Sequence, residues 1–150
     1  AALSVEDNVM VGALRTRRDV AAARLAAREI LDLLGLAAKG RHLAASLTLP
    51  ERKRLEVARA MATRPRLLLL DEVMAGLRPT ETDQMVAVLS RINRETGLSV
   101  LLIEHVMRAV MALARDVVVL NYGEVIARGT PDTVVRDPAV LQCYLGEAAL

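Results

Sequence analysis

Two carboxylates, Asp71 and Glu72, end the aliphatic run Leu67-Leu68-Leu69-Leu70, and His105 follows a second run, Leu101-Leu102-Ile103-Glu104. In an open parallel α/β sheet, ligands gather beyond the carboxyl ends of the strands. Adjacent acids there can divide the work of phosphoryl transfer, one holding magnesium and the other positioning or deprotonating the attacking water, while a histidine senses phosphate. Taken singly, each signal has a plainer explanation. An acidic pair after a strand is more often a solvated turn or a helix cap, and a lone histidine is more often a cap or a surface residue.

The other chemistry-bearing residues carry less. Arg52-Lys53-Arg54, with Arg59 and Arg64, could meet phosphate or an acidic surface, but on a helix they read as a solvated face. The six methionines read as core filler, with Met10 a weak candidate for a partner surface. His42 has no partner in view and reads as structural.

The elements that must position these residues follow from caps and periodicity. Ser4-Val5-Glu6-Asp7 opens a first helix, and a longer one spans about 20–34, closed by Gly35. Thr48-Leu49-Pro50-Glu51 fits a capping box, in which Thr48 accepts from the Glu51 amide and Glu51 reaches back to the Thr48 amide. That helix ends before Pro65. The run 67–70 predicts a buried parallel strand. Thr80 and Asp83 open a helix that ends near Gly97, Ser99 to Glu104 form the next strand, and a helix over about 106–114 leads to a strand over 116–120. Asn121-Tyr122-Gly123 then turns the chain into a hairpin through Glu124 to Ala127. Pro131 and Pro138 start two short helices, the second capped by Asp137. Strand, helix, strand, helix, strand predicts a parallel α/β sheet behind an all-helical block.

Composition bounds the class. The 150 residues are 53% hydrophobic but 1% aromatic, so the core must be built from Leu, Val, Ile, Ala and Met. A formal charge of +2 gives no argument for nucleic acid. Cys143 is the single cysteine, which excludes an internal disulfide and fits a reducing compartment such as the cytosol. No apolar run approaches the roughly 18 residues of a spanning helix.

In order and spacing, Leu47 to Ala60, then Leu67 to Glu72, then Ala75-Gly76-Leu77, then Ile103-Glu104-His105 resemble the second half of an ABC-type ATPase. The opening Leu3 to Val9 is similar to the segment after that family's glutamine loop. Gly129-Thr130-Pro131 through Tyr144-Leu145-Gly146-Glu147 looks most like ATPases of branched-chain amino-acid importers. The resemblance implies the C-terminal half of a P-loop NTPase-like (RecA-like) α/β core over 65–150, with a helical subdomain over 1–64. It implies ATP and Mg2+ as ligands, Asp71 as the magnesium residue, acting through water, Glu72 as the catalytic base and His105 as the γ-phosphate sensor. Gly76 lies in its D-loop, and Thr48, Leu49 and Glu51 stand in its signature motif. It also implies a second, different ATPase subunit and transmembrane permease subunits as partners, and a place on the inner face of the cell membrane.

Several positions depart from the family. No Gly-x-x-x-x-Gly-Lys-[Ser/Thr] occurs in the sequence, and no glutamine loop. Both stand upstream of Ala1 in the family, so the chain reads as a C-terminal portion that by itself binds ATP poorly. Leu49 and Pro50 replace the signature glycines and Glu51 its glutamine, which removes one amide and adds a negative charge where phosphate would lie. Val73 replaces a usual proline, and Arg78 an aspartate common after Gly-Leu. The resulting expectation is an ATP-hydrolysing importer subunit with a weakened signature. The alternatives are a non-hydrolysing interaction module and an ATPase of DNA repair, the latter expecting coiled-coil or zinc-bearing insertions that the sequence lacks.

Overall fold

The structure, a computed structural model, describes residues 2–145, with side chains through 143. The chain forms two compact units, Ala1–Glu104 and His105–Leu150.

The first unit begins with helices α1 (Val5–Ala13), α2 (Val20–Leu33) and α3 (Leu49–Ala62). Ser4 caps α1 by accepting the Asp7 amide, and Asp19 caps α2 by accepting the Ala22 amide. Gly35 ends α2 in the left-handed conformation, φ 67°, which glycine adopts without a Cβ clash. Short 3-10 turns at Ala37–Lys39 and Ala44–Ser46 lead into α3. α1 packs on both α2 and α3. Val5, Val9, Ala13, Ala23, Ala27, Leu31 and Ala58 are among the buried residues of this block. The contact of α1 with α3 runs through Gly12, where a Cβ would come within 2.9 Å of the Arg59 carbonyl oxygen and 3.0 Å of Ala62 Cβ.

Glu6 is the charged residue within this helical core. Its Oε1 accepts from Arg24 Nη1 at 2.7 Å and its Oε2 from Arg28 Nε at 3.1 Å, so α1 and α2 are tied by ion pairs as well as by packing. The hydrogen bond from Arg28 holds the Glu6 carboxyl below the usual carboxylate range, against the opposing effect of burial.

Strand β1 (Leu67–Asp71), helix α4 (Pro79–Thr96) and strand β2 (Ser99–Ile103) form a βαβ unit. The strands pair in parallel, from Leu67 opposite Ser99 to Asp71 opposite Ile103. The helix begins one residue earlier than Thr80 predicts. Pro79 takes the first turn and Arg78 the cap, with Glu81 accepting the Arg78 amide at 2.9 Å, because a proline at that position loses no helical hydrogen bond. Gly97, φ 66°, closes α4 as expected.

The predicted buried parallel strand is parallel but buried on one face only. Leu68 and Leu70 are buried, but Leu67, Leu69, Leu101 and Ile103 are 50%, 66%, 56% and 60% exposed. Side chains alternate across a strand, and among the described residues only one face of this two-stranded sheet is covered.

The second unit contains α5 (Met107–Leu113), strands β3 (Val117–Asn121) and β4 (Glu124–Gly129), and helices α6 (Pro131–Val134) and α7 (Pro138–Leu145). The hairpin is as predicted. Tyr122 and Gly123 form its two-residue loop, both at positive φ, 48° and 85°. The expectation that the strand after α5 extends the parallel sheet is also corrected. β3 pairs antiparallel with β4 in a separate two-stranded sheet, since a two-residue turn returns the chain directly alongside itself. Asp137 caps α7, its Oδ1 accepting the Ala139 amide at 2.9 Å.

Candidate functional site

The carboxyl end of β1 carries the acidic pair, and both side chains are exposed. Asp71 is the last residue of the strand. Glu72 leaves it in the left-handed region at φ 45°, a conformation that side chains seldom take and that persists where the surroundings enforce it. Its amide donates to the Ile103 carbonyl at 2.9 Å, its carbonyl accepts the Ala75 amide at 3.0 Å, and Lys53 Nζ from α3 donates to the same carbonyl at 3.4 Å. Val73 and Met74 turn inward and are buried.

Gly76 completes the turn at φ 78°, and a methyl group there would lie 3.2 Å from Leu49 Cδ2. The structure thus brings Leu49, Glu72 and Gly76, 23 and 27 positions apart from Leu49 in sequence, onto one end of the first unit. Leu77 follows, its amide donating to the Met74 carbonyl.

At the start of α3 the Glu51 half of the expected capping box is present. Oε2 of Glu51 accepts the Thr48 amide at 2.9 Å. The Thr48 hydroxyl donates to that oxygen as well, at 3.0 Å, and Lys39 Nζ lies 3.5 Å from Oε1. The Thr48 amide, followed by desolvation in the opposite direction, then the Thr48 hydroxyl and Lys39, sets the Glu51 carboxyl below its usual range.

His105 opens the second unit and is exposed; Glu104, the last residue of the first, immediately precedes it. The basic run of α3 is less solvated than predicted. Lys53 reaches Glu72, and Arg54 Nη2 donates to Gln84 Oε1 on α4 at 3.0 Å. Of the methionines, Met61, Met74 and Met85 are buried, while Met111 is exposed. Two participants escaped the sequence reading, Lys53 and Glu104. The only signal for Glu104 was a carboxylate at the end of an apolar strand.

Among the described residues no group of three or more His, Cys, Asp and Glu is gathered as a cage for a metal ion. Magnesium needs none, because it is commonly held by one or two carboxylates together with substrate phosphates and water, and Asp71, exposed at a strand end, fits that donor set.

Comparison with solved structures defines the fold. The chain superposes on an ATP-binding cassette of an ABC transporter in its ADP conformation with a TM-score of 0.82, covering 97% of this chain and 63% of that one at 24% identity. On a Clostridium perfringens subunit of the ABC transporter complex cbiONQ the TM-score is 0.84, covering 95% of this chain and 57% of that one. The fold is that of an ATP-binding cassette.

Sequence comparison adds curated relatives. The chain is 40% identical over 144 residues to the high-affinity branched-chain amino acid transport ATP-binding protein BraF of Pseudomonas aeruginosa, covering 94% of this chain and 56% of BraF. It is 38% identical over 118 residues to LivG of Escherichia coli, of the same description, covering 79% of this chain and 46% of LivG. Residues 124–149 match the family described as branched-chain amino acid ATP-binding cassette transporter; 146–149, including Gly146 and Glu147 of the expected ending, lie outside the described residues. The chain is thus similar to ATP-binding proteins of branched-chain amino acid ABC transporters, and it spans about half the length of the curated relatives it matches.

Proposed function

We propose that this chain is the C-terminal part of an ATP-binding and ATP-hydrolysing subunit of an importer for branched-chain amino acids. The observation that carries the reading is the Asp71-Glu72 turn at the end of β1, in a chain 40% identical to BraF. On this reading Glu72 positions and deprotonates the attacking water, and Asp71 holds the magnesium ion through water. The magnesium ion, when bound, neutralises charge developing on the phosphates. His105 donates to the γ-phosphate, and Gly76 belongs to the loop that faces a second ATPase subunit.

Thr48, Leu49 and Glu51 form the segment offered to the nucleotide of that second subunit. A carboxylate already accepts the Thr48 amide there, and Pro50 contributes no amide. An anion is therefore received poorly, and the assembly pairs this chain with a different ATPase subunit in one competent and one weak composite site. No helix among the described residues is long and apolar enough to cross a membrane, in keeping with a subunit held at the cytoplasmic face by permease subunits.

The test is ATP hydrolysis by the complete cassette, with the phosphate-loop half supplied, in its transporter. Glu72→Gln is expected to lower kcat by roughly 100-fold or more, the scale of a lost general base, while nucleotide binding persists. Unchanged kcat in Glu72→Gln would overturn the assignment.

A further inference from the structure

Glu104 stands at the junction between β2 and His105, and its carboxylate is already engaged elsewhere. Oε1 accepts the Met74 amide at 2.7 Å, across 30 residues of sequence. Oε2 is buried and meets no donor among the described residues. Met74 is 1% exposed and Val73 4%, so this bond joins the strand end to the buried side of the turn that follows Glu72.

The bond continues the β1–β2 ladder by other means. The last residue pair is Asp71 with Ile103, and one step on the Glu72 amide donates to the Ile103 carbonyl at 2.9 Å. Beyond that the chain leaves the strand through the left-handed Glu72, and the amide of the buried Met74 finds a side chain as its acceptor. A buried amide needs a partner, and an ionised carboxylate is a stronger acceptor than a neutral carbonyl. The strained residue is thus held on both sides, by the Ile103 carbonyl at its amide, by the Ala75 amide and Lys53 at its carbonyl, and by Glu104 two residues further on.

We propose that Glu104 is a positioning residue. By holding the Met74 amide it keeps Glu72 in the left-handed conformation, which sets the direction of the Glu72 carboxyl, and it ties that turn to the strand end from which His105 follows. The effect on catalysis rests on the functional reading above; the effect on the turn does not.

Amide hydrogen exchange of the full chain, resolved to Met74 by mass spectrometry with fragmentation, tests the turn directly. Glu104→Ala is expected to speed exchange at Met74 by roughly tenfold or more, and Glu104→Gln, which keeps the acceptor and the length of the side chain, to restore most of the protection. Gly12→Ala serves as the control for general loss of stability, because Gly12 packs on α3 away from this turn. If Glu104→Ala leaves Met74 exchange unchanged, or if Gly12→Ala reproduces its effect, the proposal fails. In the complete cassette, Glu104→Ala is expected to lower kcat with the KM for ATP held, and Glu104→Gln to recover it. A rise in KM with kcat unchanged would overturn the catalytic part. Absence of ATPase activity in the unmutated cassette would instead remove the functional reading, and the exchange result would still decide the role of Glu104 in the turn.

Discussion

Glu51 folds back on Thr48, so that one carboxylate oxygen accepts both the amide, at 2.9 Å, and the hydroxyl, at 3.0 Å, of the residue that caps α3. The free amides of a helix start attract an anion, and here the anion is internal. Glu51→Ala is expected to lower the stability of the chain by about 1 kcal/mol, the usual scale for losing a cap. Lys39, 3.5 Å away and 42% exposed, adds little to this because a solvated ion pair is weak. The carboxyl lies below its usual range when folded, so the unfolded chain binds more protons in acid. The stabilisation is therefore complete above the carboxylate value of the unfolded chain, roughly 4.3, and is lost as pH falls through the lower folded value. Urea midpoints of the wild type and Glu51→Ala, measured from neutral pH downward, are expected to converge in acid; a constant gap would refute the linkage.

Gly12 lets α1 and α3 approach to backbone contact. A Cβ added there meets the Arg59 carbonyl oxygen at 2.9 Å and Ala62 Cβ at 3.0 Å, and both belong to a packed helix that cannot yield as a flexible side chain would. Alanine ordinarily favours a helix over glycine by about 1 kcal/mol, so on a free helix the substitution would stabilise. Here overpacking is expected to prevail, with Gly12→Ala destabilising by about 1–3 kcal/mol in urea unfolding. A more stable Gly12→Ala would show that the two helices can separate without loss.

Much of the fold was legible because its signals are local. Ser4, Gly35, Gly97 and Asp137 each act within a few residues of themselves, and the hairpin at Tyr122-Gly123 is written in two positions. The place of the acidic pair at the end of an aliphatic strand was legible in the same way. What escaped depends on what folds against what. Lys53 looked like a solvated cation until α3 met the turn after β1, and Glu104 like an ordinary strand end until Met74 came within 2.7 Å. The aliphatic run of β1 implied burial on both sides, because a run of leucines carries no alternation to mark the face left open.

That open face has a consequence in solution. Leu67 and Leu69 of β1 share it with Leu101 and Ile103 of β2, each at least half exposed, and the sheet has only two strands, whose outer edges present unpaired backbone groups among the described residues. Apolar faces and free edges of this kind promote association. The isolated chain is expected to self-associate with rising concentration, and Leu69→Lys combined with Leu101→Lys to suppress it while the helical block keeps its fold. Light scattering that shows a clean monomer at high concentration for the unsubstituted chain would contradict this.

If Thr48 to Glu51 are the signature proposed above, stability and activity are expected to move in opposite directions when they change. Thr48 carries a hydroxyl, but Leu49 lies beside Gly76, Pro50 has no amide to donate, and Glu51, which caps the helix, would repel a phosphate. Leu49→Gly, Pro50→Gly and Glu51→Gln together free the helix start for an external anion. In the complete transporter ATPase activity should rise by roughly an order of magnitude, since one recovered hydrogen bond to a charged group contributes about 1.5–3 kcal/mol and each 1.4 kcal/mol is tenfold in rate. The same triple change replaces the charged cap by a neutral amide and adds two glycines to the first turn of α3, so the protein should unfold at lower urea. Higher activity with lower stability would identify Glu51 as an internal occupant of a phosphate site. Lower stability with unchanged activity would mean that this helix start is a structural cap only, and the asymmetry between the two composite sites would then have to be abandoned.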